Sequence, residues 1–295
     1  MATTDAGGEA ASTLDAELAG LDALDVPVPR RRARAVTVWA FLWPKLLAVG
    51  IFVFCWQVLF WSHWKPDYLL PAPAKVFETL GDQFDTLLGA AGTTLWRAAQ
   101  GFALAVVIGT VVGALVSRIA FLRASIGSLI SGLQTMPSIA WFPLAILLFK
   151  LSEGAILFVV VLGAAPSIAN GLVSGIDNIP PLLLRAGRVL GARGIRAFWH
   201  VVLPAALPGF FNGLKQGWAF AWRSLLAGEL LVVIPGKQSL GQQLELAQQF
   251  ALARDLYATM IMIFVVGVIM DELLFGTVNR LIRKRYGLID QASRA

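Results

Sequence analysis

A chain of 295 residues that is 57% hydrophobic, only 14% charged and has a mean hydropathy of +0.72 is not an ordinary soluble domain, in which about a quarter of residues are charged. A net charge of +6 does not mark a nucleic-acid binder, because the basic residues sit in short clusters beside apolar runs, where they orient membrane spans. Cys55 is the single cysteine, and His63 and His200 are the only histidines, so a disulfide framework, a thiolate cluster and a histidine-rich metal site all lack ligands.

Residues 1–29 are rich in Ala, Gly, Asp, Glu and Thr and lack the basic start and early apolar core of a cleaved signal peptide. They read as a disordered cytoplasmic tail. Arg30, Arg31, Arg32 and Arg34 follow, directly before the first apolar run. A membrane crossing needs about 20 apolar residues, and the chain offers such runs near 39–62, 94–117, 124–149, 155–176, 206–232 and 257–280. The expected fold is therefore an all-α polytopic membrane protein with about six transmembrane helices, a membrane domain over 30–285 and a short tail over 286–295. Threading the spans alternately puts Arg30–Arg34, Arg118 with Arg123, the loop 177–205, and Arg280, Arg283, Lys284 and Arg285 on one side. The other side carries Asp67, Glu78, Asp82, Asp85, Glu153 and Glu245. Basic loops face the cytoplasm, so both termini and the loop 177–205 are expected there.

Between the first two spans, Pro66, Pro71 and Pro73 precede AKVFETLGDQFDTLL, which reads as a short amphipathic helix along the outer face. The second span holds Gly109 and Gly113 one turn apart, a pair that lets helices approach closely. Pro137 and Pro143 bend the third span. Gly163, Pro166, Gly171 and Gly175 suit tight packing of the fourth. No internal repeat is visible, which gives no support to an inverted-repeat carrier.

The stretch 182–204, LLLRAGRVLGARGIRAFWHVVLP, is too charged to cross a bilayer, with Arg185, Arg188, Arg193 and Arg196 in close succession. Leu183, Ala186, Val189 and Leu190 recur at the spacing of one helical face. Gly191 and Gly194 interrupt it, Ile195, Phe198 and Trp199 begin a second apolar face, and Leu203-Pro204 closes the segment. Two short amphipathic helices with a glycine break are expected at the membrane surface, against the plainer alternative of a loop that only obeys charge topology.

The fifth span contains Lys215, Arg223 and Glu229, and ionisable groups in a span are costly enough to face a bundle interior and serve transport. Trp218 and Trp222 share a helical face, as do Lys215 and Arg223 roughly. Lys215 either snorkels to the interface or lines a path with the tryptophans. Arg223 is either the structural partner of Glu229 or a cation lining an anion path. These five residues are the candidate substrate pathway.

The stretch 182–204 resembles the EAA loop of the membrane subunits of ATP-binding-cassette importers, which runs Glu-Ala-Ala, three residues, Gly, nine residues, then Ile-any-Leu-Pro. Arg185-Ala186-Gly187 stands at the first three positions, Gly191 at the glycine and Val201-Val202-Leu203-Pro204 at the close. Arg185 departs from the family's Glu, and Gly187 departs mildly. YLLPAPAKV, MPSIAWFPLAILLFK and KQGWAFAWRSLLAGEL resemble the sulfonate, nitrate and taurine branch, with Lys150 standing where that pattern has glycine. The resemblance implies a type I importer permease fold of the inner or plasma membrane, with a cytoplasmic coupling-helix loop. It implies that Arg185, Ala186, Gly187, Leu190, Gly191, Ala192, Leu203 and Pro204 dock into an ATPase subunit. It also implies as partners two cytoplasmic ATPase subunits, an extracytoplasmic substrate-binding protein and a second permease copy in a homodimer, with no cofactor and no nucleic acid.

Dependence on a partner agrees with the residues themselves. Pro235-Gly236-Lys237-Gln238 lacks the earlier glycine and the hydroxyl of a phosphate-cradling loop, so the chain does not hold ATP by that device. A stand-alone secondary transporter or channel for a small anion would need its own coupling carboxylates, for which Glu229, Asp271 and Glu272 are the candidates. A membrane enzyme would need a nucleophile–base pair or a metal cluster, and none is apparent. The expected function is passage of a small anion such as an aliphatic sulfonate, taurine or nitrate.

Overall fold

The computed structural model of the chain describes residues 34–278 and 281; the expected tails at 1–29 and 286–295 lie outside the described residues. Every described element is helical. Helix α1, Arg34–Trp61, runs through Pro44, and its apolar stretch Trp43–Trp61 is long enough to cross a membrane. Within it Phe52 and Trp56 pack edge to face, with ring centroids 6.5 Å apart.

From Leu59 onward the helices form a second unit. Helix α2 is Pro73–Asp82, amphipathic and begun by a proline at its first position, where no amide donor is needed. Helix α3 is Phe84–Arg118. It starts well before the expected position near 94, because the second half of the predicted surface helix continues straight into the span. Helix α4, Ala120–Thr135, ends before Pro137, where a residue preceding proline leaves the helical region. A 3₁₀ turn, Ser138–Trp141, then leads into helix α5, Phe142–Phe149, and the chain bends by 105° across this break. Helix α6 is Glu153–Asp177, α7 Pro181–Val189, α8 Gly194–Ala197, α9 Leu203–Leu231, α10 Leu240–Gln249 and α11 Ala253–Asp271. Five helical stretches are long and apolar enough to span, and the bent pair α4–α5 makes a sixth crossing if it counts as one.

Helix α6 is the centre of this unit. Ile156, Val159, Val160, Ala164 and Ile168 are fully buried, packed with Ala98 and Ala105 of α3, Phe142 and Ala145 of α5, and Trp218, Ala221 and Leu225 of α9. Lipid tails are as apolar as leucine, so exclusion from water does not hold these helices together; close contact does. The glycines supply it. A Cβ on Gly109 would stand 2.7 Å from the Ala165 carbonyl oxygen, and one on Gly113 2.9 Å from that of Ala169. On the other flank, Gly171 and Gly175 of α6 meet Gly213 and Gly209 of α9 backbone to backbone, and a Cβ on Gly213 would lie 2.6 Å from the Gly171 Cα.

Lys150 ends α5 with φ 60° and ψ −164°, a conformation nearly reserved for glycine. The position at which the chain departs from the branch pattern is thus one where the backbone asks for glycine. Lys150→Gly is expected to raise the unfolding free energy by about 1 kcal/mol once the looser unfolded chain is counted. Thermal unfolding of the detergent-purified protein reads this; a lowered midpoint would mean that the lysine side chain contributes more than the strain costs.

Candidate functional site

The loop 177–205 is built from a capped helix and a continuous one. Pro181 opens α7, and the helix closes with a glycine motif: Gly191, at φ +80°, follows the cap, the Gly191 amide donates to the Arg188 carbonyl at 3.1 Å and the Ala192 amide to the Gly187 carbonyl at 2.9 Å. Gly187 is buried, and a Cβ there would meet Val201 at 2.8 Å, which seats α7 against the next segment. Arg185 and Ala186 point outward.

The second half differs from the expected separate helix closed by Leu203-Pro204. Residues Gly194–Leu231 form one helical run of 38 residues, with Leu203 and Pro204 inside it. A wide π turn at Phe198–Val202 precedes Pro204, and such a turn takes up the missing amide donor without breaking the helix. The second half of the loop is therefore helically continuous with the fifth span. The loop is also tied sideways to the bundle: the Arg118 guanidinium lies 5.1 Å from the Phe198 ring, and Arg123 pairs with Asp177 at 2.8 Å.

The outward surface of the loop is apolar and basic. Val189 is 87% and Leu190 86% exposed, and Leu182, Ile195 and Trp199 are exposed beside them. Among the described residues, Arg185, Arg188, Arg193 and Arg196 form no ion pair. Leucine and valine side chains thus stand exposed among arginines that form no ion pair.

Helix α9 separates the five residues predicted for a substrate path. Trp218 is buried, stacks on Trp222 at 6.2 Å and meets Phe102 of α3 edge to face at 5.3 Å, so both tryptophans belong to the α9 packing. Lys215 is half exposed and faces Asp271 of α11 at 3.5 Å. Arg223 is exposed; its Nε donates to the Ala219 carbonyl at 3.1 Å, and its guanidinium lies 5.2 Å from the Phe220 ring.

Arg223 does not pair with Glu229, which corrects that alternative. Glu229 is 0% exposed and bound to Arg97 of α3, whose Nη1 stands 3.0 Å from its Oε1. Its Oε2 accepts from the Thr94 hydroxyl at 2.9 Å and from the Gly241 amide at 3.2 Å. The Thr94 hydroxyl oxygen in turn accepts the Leu240 amide at 3.0 Å. The cluster thus pins the first turn of α10 to α3 and α9. A carboxylate buried this fully persists because every neighbour is a donor.

Two sets of residues escape prediction from the sequence. One is Arg97, Thr94, Glu153 and Lys237, which Glu229 and its neighbours bring together; Arg97 was discoverable as a charge inside an expected span. The other is a stripe of Asn170 and Ser174 on α6 and Asn178 just past its end, with Asn212 and Gln216 on α9, which border a groove of about 430 Å³ beside the glycine contacts. Their four-residue spacing inside apolar spans was the available signal.

Residues 105–284 match the family described as the binding-protein-dependent transport system inner membrane component. The nitrate import permease protein NrtB of Synechocystis sp. is 26% identical over 264 residues, covering 83% of this chain and 91% of that protein. The bicarbonate transport system permease protein CmpB of Synechococcus elongatus is 32% identical over 179 residues, covering 61% of this chain and 64% of that protein. An inward-facing structure of the MetNI methionine ABC transporter shares the fold, with a TM-score of 0.55 and 23% identity over 69% of this chain and 97% of that one.

Removing one partner of the buried cluster leaves an uncompensated charge. Glu229→Ala is expected to cost about 3–5 kcal/mol, whereas the double variant Arg97→Met with Glu229→Leu recovers most of that loss. Thermal unfolding of the three proteins in one detergent checks it; equal stability of wild type and Glu229→Ala would refute the role of the cluster.

Proposed function

The chain belongs to the binding-protein-dependent transport system inner membrane components, and on that premise we propose that it forms the path for a small oxyanion and is driven by ATPase subunits gripping the loop 177–205. The observation that carries this is the loop itself: an exposed apolar and arginine-rich helix, capped at Gly191, packed on a second segment that from Gly194 is continuous with the fifth span. A groove on a partner that holds the loop moves α9 with it, because the second half of the loop, from Gly194, is one helical run with α9 and Gly187 seats α7 against Val201 of that run.

In this proposal both termini and the loop face the cytosol, following the basic clusters. ATP binding closes two ATPase subunits, the loops follow, and the path alternates between outward and inward access; nucleotide needs only to bias two pre-existing states. A binding protein delivers the solute on the far side. A second, identical copy completes the path, and the amide stripe of Asn170, Ser174, Asn212 and Gln216 lines it, since amides facing lipid would be costly. Arg185 replaces the family's Glu, so the matching groove presents a carboxylate or a backbone acceptor to it.

Nitrate, bicarbonate, taurine and aliphatic sulfonates are the substrate class. The named relatives and the branch resemblance support it. Two of the three carboxylates that a self-sufficient secondary transporter would use are held in ion pairs, Glu229 with Arg97 and Asp271 with Lys215, which favours an external energy source.

Gly191→Asp forces a side chain into a left-handed position and breaks the cap. It is expected to abolish stimulation of the partner ATPase while the protein still reaches the membrane. Unchanged stimulation would remove the loop from the mechanism. Arg223→Gln is expected to slow nucleotide-driven uptake about tenfold, the equivalent of one charge contact of about 1.4 kcal/mol; uptake equal to wild type would assign Arg223 to packing alone.

A further inference from the structure

We propose that Arg97, Glu153 and Lys237 form a binding site for a small oxyanion at the end of the bundle opposite the loop 177–205. The site deepens the proposal that the chain carries an oxyanion, and it rests on separate residues. A cavity of about 710 Å³ opens between the first turns of α3, the start of α6 and the segment 236–238, with Thr93, Trp96, Arg97, Glu153 and Lys237 in its wall.

Arg97 is 3% exposed, and only one of its edges is satisfied. Nη1 serves Glu229, while Nε and Nη2 are buried and make no hydrogen bond. A buried cation whose Nε has no acceptor and whose Nη2 reaches a carboxylate only at ion-pair distance is an expensive arrangement for a purely structural ion pair. The Nε–Nη2 edge is also the side of a guanidinium that holds two oxygens of a carboxylate, nitrate, bicarbonate or sulfonate in parallel.

Glu153 stands in front of that edge. Its Oε1 lies 3.5 Å from Arg97 Nη2 and 2.7 Å from Lys237 Nζ, so one carboxylate oxygen is shared between two cations. Glu153 is the first residue of α6 and its side chain is 34% exposed, which leaves it room to turn into water. The carboxylate is itself an oxyanion, and it occupies the place as a tethered stand-in. When it swings away, Glu229 on Arg97 is the remaining paired carboxylate against the two cations, and the site carries one surplus positive charge, the match for one monovalent oxyanion. The incoming anion takes Nε, Nη2 and Nζ; no covalent bond changes. Asp85 at the rim is exposed and water screens it.

The exchange predicts opposite effects from two substitutions outside the buried pair. The full-length chain is placed in lipid nanodiscs with no ATPase, and nitrate and methanesulfonate are titrated in by calorimetry against a chloride background. Wild type is expected to bind both saturably. Lys237→Gln weakens binding about tenfold, and Glu153→Gln tightens it several-fold because the tethered competitor loses its charge. Both variants are checked for an unchanged thermal midpoint within about 3 °C. Absence of saturable binding in wild type overturns the site, and so does equal affinity in all three proteins; either leaves nucleotide-driven uptake standing. If instead nanodisc binding behaves as stated while the complete transporter moves no oxyanion with ATP, the site survives and the transport proposal falls.

Discussion

The close approach of α6 and α9 constrains everything else in this chain. Gly171 and Gly175 meet Gly213 and Gly209 with backbone against backbone, a distance that no other side chain permits. Because α9 is held so near the central helix, its amide face and that of α6 form a single groove, and Trp218 and Leu225 reach the core that α3 completes. In a membrane this contact replaces the exclusion of water as the source of cohesion. It also couples the two ends of the molecule, since α6 begins at Glu153 beside the buried arginine and ends at Asp177 beside the loop.

The ends do different work. At the loop, apolar side chains and arginines are left facing outward, and the backbone is locked by a glycine cap and a π turn. At the opposite end, charges are gathered inward and neutralised by Glu229 and Glu153. The first arrangement favours capture by another protein; the second favours capture of a small charged solute. The helical run from Gly194 to Leu231 and the glycine-sealed contact along it give the two a mechanical connection without any flexible link.

Much of this was legible in the order of residues. Apolar run lengths placed the spans, the three-to-four spacing of Leu183, Ala186, Val189 and Leu190 placed α7, and Gly191 marked its end because few other residues accept that backbone angle. Gly109, Gly113, Gly171 and Gly175 announced close contacts, though not with which helix. What stayed hidden was of two kinds. Pro204 looks like a terminator, and only the three-dimensional path shows a widened turn carrying the helix past it. The partner of Glu229 lies 132 residues away, where local spacing has no power, and the nearer Arg223 was the misleading choice. Arg97 and the amide stripe were readable as polar residues inside apolar spans, but their convergence needed the fold.

The central claim is that the loop drives the fifth span because its second half, from Gly194, and that span are a single helical element. The most direct measurement inserts a short flexible Gly-Ser segment between Val202 and Leu203 and follows ATP hydrolysis and solute uptake together in the assembled transporter. Hydrolysis that persists while uptake falls to background is the predicted result. Uptake at the wild-type rate through the loosened joint would contradict it.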